Sequence, residues 1–234
     1  MAVAMLTIVC FKWTRNKTGF QLPAVVRYGA EHVNVLQSMV ARHYQKKHRF
    51  VCVTDDATGL NCETLPMWQD HRELGGCYSR LKIFSAEVAE LFGPRFICID
   101  LDCVILGDLT SIFEDRSYFI INTYNAHSEW PRDQKYNGSL IMMDAGAREQ
   151  VWKRFDPKTS PAALAESRRT VGTDQAWIRH CLGPLENRFT NEMGVYEVRQ
   201  IGPQGPPRNA KMIFFSGARD PSLSQEKWIR DNWK

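Results

Sequence analysis

The chain lacks most of the signatures that would set it apart from ordinary globular proteins. No apolar run approaches the roughly 20 residues that a membrane-spanning helix needs. The apolar segment Met1–Phe11 is too short and has no basic leading region, so it is expected to be a first strand and not a signal or anchor. There is no Cys-x-x-Cys pair, no His-Glu-x-x-His and no Cys/His spacing of a zinc site. The seven cysteines are an odd number, and Cys10, Cys52 and Cys98 sit inside apolar runs, where a thiol behaves as a small hydrophobe. A disulfide framework is therefore not expected, and a reducing, cytoplasmic compartment is. Repeats and low-complexity segments are absent. Charge of one sign is scarce too, with a net +4 from 30 basic and 26 acidic residues. That mild excess suits a polyanionic small ligand and gives no ground for a nucleic-acid partner. The one dense basic cluster, Arg42 to Arg49, falls at the end of an expected helix, where the dipole favours cations.

What is present is an α/β pattern in 234 residues, enough for a substantial core in a single domain. Leu6–Phe11 reads as a buried strand. A helix beginning near Tyr28 carries Val33, Leu36, Val40 and Tyr44 at helical spacing. Arg49–Thr54 is a second strand, and residues 57–76 look irregular. Tyr78–Phe92 is expected to be one helix with Leu81, Phe84, Val88, Leu91 and Phe92 on its apolar face, stopped by Gly93-Pro94. Phe96–Ile99 is then a strand with a wholly apolar lead-in. Alternation of strand and helix argues for a mainly parallel sheet with helices on both faces. Further on, Leu109–Phe113 reads as a helical turn, Ser117–Thr123 as a strand and Asn125–Gln134 as a polar, aromatic loop. Ser139–Met143 is a strand and Ala147–Phe155 a helix. Thr173 is placed to cap a helix running to about Leu182 and closed by Gly183. Gly202–Pro207 is a loop, Met212–Phe215 a last strand, and Ser222 with Gln225 a capping box for a C-terminal helix.

Chemistry concentrates at the strand ends. In Asp100-Leu101-Asp102, a period of two would set both carboxylates on one side with Leu101 opposite. Such a pair suits a hard divalent cation, which can bridge to phosphate oxygens. Ligands of open α/β sheets bind at the carboxyl ends of strands. The other strand ends present Lys12 and Trp13, Asp55 and Asp56, Asn137-Gly138-Ser139, Asp174-Gln175, and Ser216-Gly217-Ala218-Arg219. A helix N-terminus and an arginine both favour anionic oxygens. Together they point to metal-assisted handling of a phosphorylated ligand, with the reaction left open.

Several segments carry a resemblance. Tyr78-Ser79-Arg80-Leu81-Lys82-Ile83, then Phe96 through Leu109 around Asp100-Leu101-Asp102, then Ile112-Phe113, resemble glycosyltransferase family 8 and its relative glycogenin. Tyr136-Asn137-Gly138-Ser139-Leu140 is similar to that family's Asn-Ser-Gly segment. Gly172-Thr173-Asp174-Gln175 is similar to its Gly-Asp-Gln segment, and Phe214-Phe215-Ser216-Gly217 with Pro221 to its His-Phe-x-Gly. The resemblance implies a single GT-A, Rossmann-like domain with a mixed, mainly parallel central sheet flanked by helices. Residues 1–108 would form its nucleotide-binding half, 109–221 its sugar and acceptor half, and 222–234 a C-terminal helix.

The same resemblance implies a nucleotide-sugar donor, a UDP-sugar above all, with Mn2+ or Mg2+ held by Asp100 and Asp102 and retention of anomeric configuration. Arg80 and Arg219 would assist the diphosphate, with Leu101, Lys12, Ser139 and Gly217 also at the donor. Asn137 and Asp174 would orient the sugar, and Gln175 would lie under the anomeric carbon. The base would rest on Trp13 or Tyr28. The acceptor and any homo-oligomeric assembly stay open. One departure stands out: Phe214 occupies the place of the family's third metal ligand, a histidine, leaving water or a nearby group such as Asp220 to complete the set. Two alternatives remain. One is a haloacid-dehalogenase-like phosphohydrolase with Asp100 as nucleophile and Asp102 as general acid. The other is a non-catalytic nucleotide-sugar binder.

Overall fold

The computed structural model describes residues 5–13, 28–68, 74, 77–123, 136–166, 174–217 and 219–234. The expected loops at 14–19 and 125–134, Gly75-Gly76 and Gly172-Thr173 lie outside them. Strand β1 (Leu6–Lys12) is buried at its five central positions. Helix α1 (Ala30–His43) presents His32, Val33, Leu36, Met39 and Val40 to the core, which is the stripe its 3.6-residue period requires. Strand β2 (His48–Thr54) follows. The irregular reading of residues 57–76 needs correction, because Glu63–Pro66 forms a short strand, β3, paired with β2. It is an edge strand, so Pro66 costs no sheet hydrogen bond, and its half-exposed polar residues leave no alternation to read.

The segment expected as one helix is two. A 3-10 helix, Tyr78–Phe84, is separated from α2 (Val88–Phe92) by Ser85 in an extended conformation. The Ser85 hydroxyl accepts the Glu87 N–H at 3.2 Å, a local bond that competes with helix continuation. Leu81, Phe84, Val88 and Phe92 stay buried across the break. Strand β4 (Arg95–Ile99) ends just before the carboxylates, and β5 (Cys103–Ile105) begins just after them. Asp100 and Asp102 therefore lie in a bend between two strands and not along one, although Leu101 is buried as expected.

After α3 (Thr110–Phe113) and β6 (Phe119–Thr123) comes β7 (Tyr136–Asp144). It starts three residues earlier than expected, so Asn137-Gly138-Ser139 is inside a strand and not in front of it. Helix α4 is a single turn (Gln150–Lys153), followed by α5 (Ser160–Glu166) and α6 (Asp174–Leu182), which ends at Gly183 with φ +69°. Strand β8 (Val195–Glu197) was not foreseen. It runs beside β9 (Met212–Phe214). The last helix, α7, spans Lys227–Asn232. The capping box at Ser222 is replaced by Asp220, whose side chain accepts the Ser222 N–H at 2.8 Å and caps a 3-10 turn at Pro221–Leu223.

The main sheet has the order β3-β2-β1-β4-β7-β6. Its first four strands are parallel, and β7 is antiparallel to both β4 and β6. Both faces are covered. Val9, Val53, Phe96 and Cys98 pack with Leu81, Phe84, Phe92 and Trp177, while Ile8, Cys10, Cys52 and Ile97 pack with the apolar stripe of α1. Two-sided burial is why these strands read as continuous apolar runs. The small sheet β5-β9-β8 flanks this core. All seven cysteines are free thiols. No helix among the described residues is long and apolar enough to cross a membrane.

Candidate active site

Arg80 is the centre of the charged groups. The 3-10 helix buries it, and its Nε donates to Asp174 Oδ2 at 2.6 Å while its Nη1 donates to Asp100 Oδ1. Burial opposes its charge, but the two carboxylates outweigh that penalty and hold its pKa above the ordinary value. The Asp174 side chain is 2% exposed and opens α6, where an acid meets the positive end of the helix. Its second oxygen, Oδ1, is buried with no hydrogen-bond partner among the described residues. The backbone of β7 makes room for this arrangement. A Cβ on Gly138 would lie 2.4 Å from Arg80 Nη2 and 3.3 Å from Asp174 Oδ2, so only glycine fits there.

Asp102 is held from two sides. The Tyr28 hydroxyl donates to its Oδ2 at 3.0 Å, and its carbonyl accepts the Phe215 N–H at 2.8 Å. Burial, and after it the charge of Asp100, push the Asp102 carboxyl up to about 8. Tyr28 in turn is shifted upward by burial and by Asp102. The Asp100 N–H donates to the Ser139 carbonyl at 2.8 Å, which fixes the bend to β7. Asn137 and Ser139 are buried in that strand. Asn137 Oδ1 accepts the Ser139 N–H at 2.9 Å, and Ser139 Oγ accepts from Asn122 Nδ2 at 2.8 Å.

The structure thus brings Arg80, Asp100, Ser139 and Asp174 into one bonded group, with Tyr28 bonded to Asp102 two residues along the bend, Asn137 joined through Ser139 and Gln175 next to Asp174 in α6. Leu101 turns into the core. Lys12 instead reaches the end of β2, where its Nζ donates to the Asp56 carbonyl at 2.6 Å. Trp13 packs edge-on against Phe11 at 6.0 Å. Gly217 adopts φ +77°, and Arg219 is exposed. Sequence reasoning missed the need for Gly138, although an isolated glycine within a strand signals close backbone approach. It also missed His32, whose Nδ1 accepts the Gly29 N–H at 3.2 Å, so that Nε2 carries the proton and faces both Asp220 oxygens at 3.2 Å.

The residues present can be tested against a divalent cation. Phe214 is buried in β9, and Asp220 is engaged by His32 and Ser222, so neither completes a ligand set. No group of three or more His, Cys, Asp or Glu side chains among the described residues is arranged to hold a metal. Asp100 and Asp102 nevertheless fit one. They are carboxylates two residues apart in one bend, and a hard cation readily takes its remaining oxygens from ligand and water.

No protein-family model and no curated protein matches the chain. Its fold is the GT-A fold. Among solved structures it is similar to the galactosyltransferase LgtC in complex with donor and acceptor sugar analogues, with TM-score 0.57 and 10% identity over 94% of this chain and 90% of that one. An active-site mutant of LgtC aligns at TM-score 0.59 and 10% identity, over 96% of this chain and 93% of that one. The glycosyltransferase GlyE of Streptococcus pneumoniae TIGR4 aligns at TM-score 0.59 and 10% identity over 97% of this chain, which spans 61% of that protein. At such identity the likeness is one of fold.

Proposed function

We propose that the chain is a glycosyltransferase that moves a sugar from a nucleotide-diphosphate donor, a UDP-sugar, to a hydroxyl-bearing acceptor with retention of anomeric configuration. The observation that carries this is the Arg80 clamp: one buried guanidinium bonded to Asp100 and Asp174, seated over Gly138 at the carboxyl end of the central strand. The clamp fixes Asp100 toward the bend and leaves Asp174 Oδ1 with an open lone pair for a donor-sugar hydroxyl. Gln175 lies one residue along α6, under the anomeric carbon, and Asn137 orients the sugar. Asp100 and Asp102 would hold Mn2+ or Mg2+, which would supply charge neutralisation to the departing diphosphate. Tyr28 commits its hydroxyl to Asp102, so toward the base it offers its ring. The free thiols support a reducing compartment, the cytoplasm.

The phosphohydrolase alternative loses ground because its nucleophile, Asp100, is ion-paired to Arg80, which stabilises the carboxylate and lowers its nucleophilicity. The test is a thermal-shift panel of UDP, GDP, ADP and CMP, each with and without Mn2+. A metal-dependent rise with UDP, lost in Asp102→Asn, is the expected result. No shift with any nucleotide overturns the proposal. Hydrolysis of an aryl phosphate would restore the phosphohydrolase, and tight UDP binding with no donor turnover would leave only a binder.

A further inference from the structure

Ser216 and Gly217 follow β9 and lie beside the carboxylate bend, because the Phe215 N–H is bonded to the Asp102 carbonyl. The sequence pointed to Arg219, two residues on, as the cation for the donor diphosphate. A different arginine is held against this turn. Glu197 is buried at the end of β8 and accepts from the Ser216 hydroxyl and, at 2.8 Å, from the Arg199 backbone N–H. The Glu197 N–H in turn donates to the Gln200 side-chain oxygen at 2.6 Å. These bonds pin residues 197–200 onto the Ser216-Gly217 turn. Glu197 is satisfied by neutral donors, and the Arg199 guanidinium forms no ion pair among the described residues. It extends over Gly217, with Nη2 3.6 Å from the position a Cβ would take. Gly217 has φ +77°, a conformation L side chains rarely adopt, so this position puts no side chain of its own against that guanidinium.

Resting on the donor reading above, we infer that Arg199 is the phosphate-neutralising side chain of this site, in the role the sequence suggested for Arg219. A guanidinium offers a planar fork of donors that matches two phosphate oxygens, and it keeps its charge at any physiological pH. Its anchoring through Glu197 sets the arginine backbone before ligand arrives, which reduces the ordering cost on binding.

The test is calorimetric titration of UDP with Mn2+, and of uridine, into the full chain and its Arg199→Gln, Arg199→Lys and Arg219→Gln variants. Arg199→Gln is expected to weaken UDP by about tenfold or more while leaving uridine unchanged, and Arg199→Lys to fall between. The exposed position of Arg199 keeps the fold intact, which the unfolding midpoint of each variant verifies. UDP affinity in Arg199→Gln within about twofold of the parent chain overturns the inference, as does a loss confined to Arg219→Gln. A parent chain that binds no UDP overturns the donor reading itself, which separates the two failures.

Discussion

Gly138 and Arg80 cannot both be kept if the glycine gains a side chain, since a Cβ would sit 2.4 Å from the arginine Nη2. Arg80 cannot swing aside cheaply, because it is buried and bonded to two carboxylates. Gly138→Ala is therefore expected to destabilise the fold by about 1–3 kcal/mol, as overpacking does, and to weaken UDP binding. Chemical denaturation and calorimetry of that variant check both effects. Parent-like stability would show that the clamp can shift.

Removing the guanidinium leaves Asp100 and Asp174 facing each other without a counter-charge. Arg80→Met should cost about 3–5 kcal/mol, the usual penalty for orphaning a buried charge. Adding Asp174→Asn should recover part of that loss, so the double-mutant cycle should be strongly non-additive. Additive losses in urea unfolding would mean that the two groups act independently.

Asp102 is costly to the ligand-free chain, because it is a half-buried acid beside another acid. Asp102→Asn keeps an acceptor for the Tyr28 hydroxyl and removes the like charge. Without ligand, its unfolding midpoint is expected to be at least that of the parent. Its Mn2+-dependent response to UDP should disappear. A differential-scanning experiment with and without Mn2+ and UDP reads both.

Asp220 joins α1 to the C-terminal segment through His32 and caps the turn at Pro221. Asp220→Ala should cost about 1–2 kcal/mol, and Asp220→Asn, which still caps, markedly less. Comparing the two in urea separates the cap from the histidine contact.

The thiols give a fifth measurable outcome. Cys10, Cys52, Cys98 and Cys103 are buried, and burial pushes the Cys62 and Cys181 thiols up to about 11. Since the thiolate is the reactive species, aromatic-disulfide titration at neutral pH should be slow for these six in the folded chain and should count all seven groups only after unfolding.

Much of this was legible in the residues. Buried strands such as β1 and β4 announce themselves as apolar runs, and α1 through its 3.6-residue stripe. The carboxylate pair, Arg80 and Asp174 were named from sequence, and the structure bonds Arg80 to two of the three. What stayed hidden depends on neighbours far along the chain. The edge strand β3 has no alternation, and β8 is three residues whose pairing is decided by β9. The break at Ser85 rests on one hydroxyl, and the period-two argument for the carboxylates failed because β4 ends one residue before them. Arg199 carries no local signal at all, since only the tertiary fold lays it over Gly217.

The bond from the Phe215 N–H to the Asp102 carbonyl bears on synthesis. Every strand of the main sheet is complete once residue 144 has been made, yet the carboxylate bend lacks this last support until β9 emerges. During translation, a nascent chain stalled anywhere between the two would carry a nearly finished sheet with an unsupported bend. Emergence of Phe215 would then be the event that completes the support of the bend. Nucleotide capture by ribosome-bound chains of increasing length should switch on only after Phe215 has left the exit tunnel.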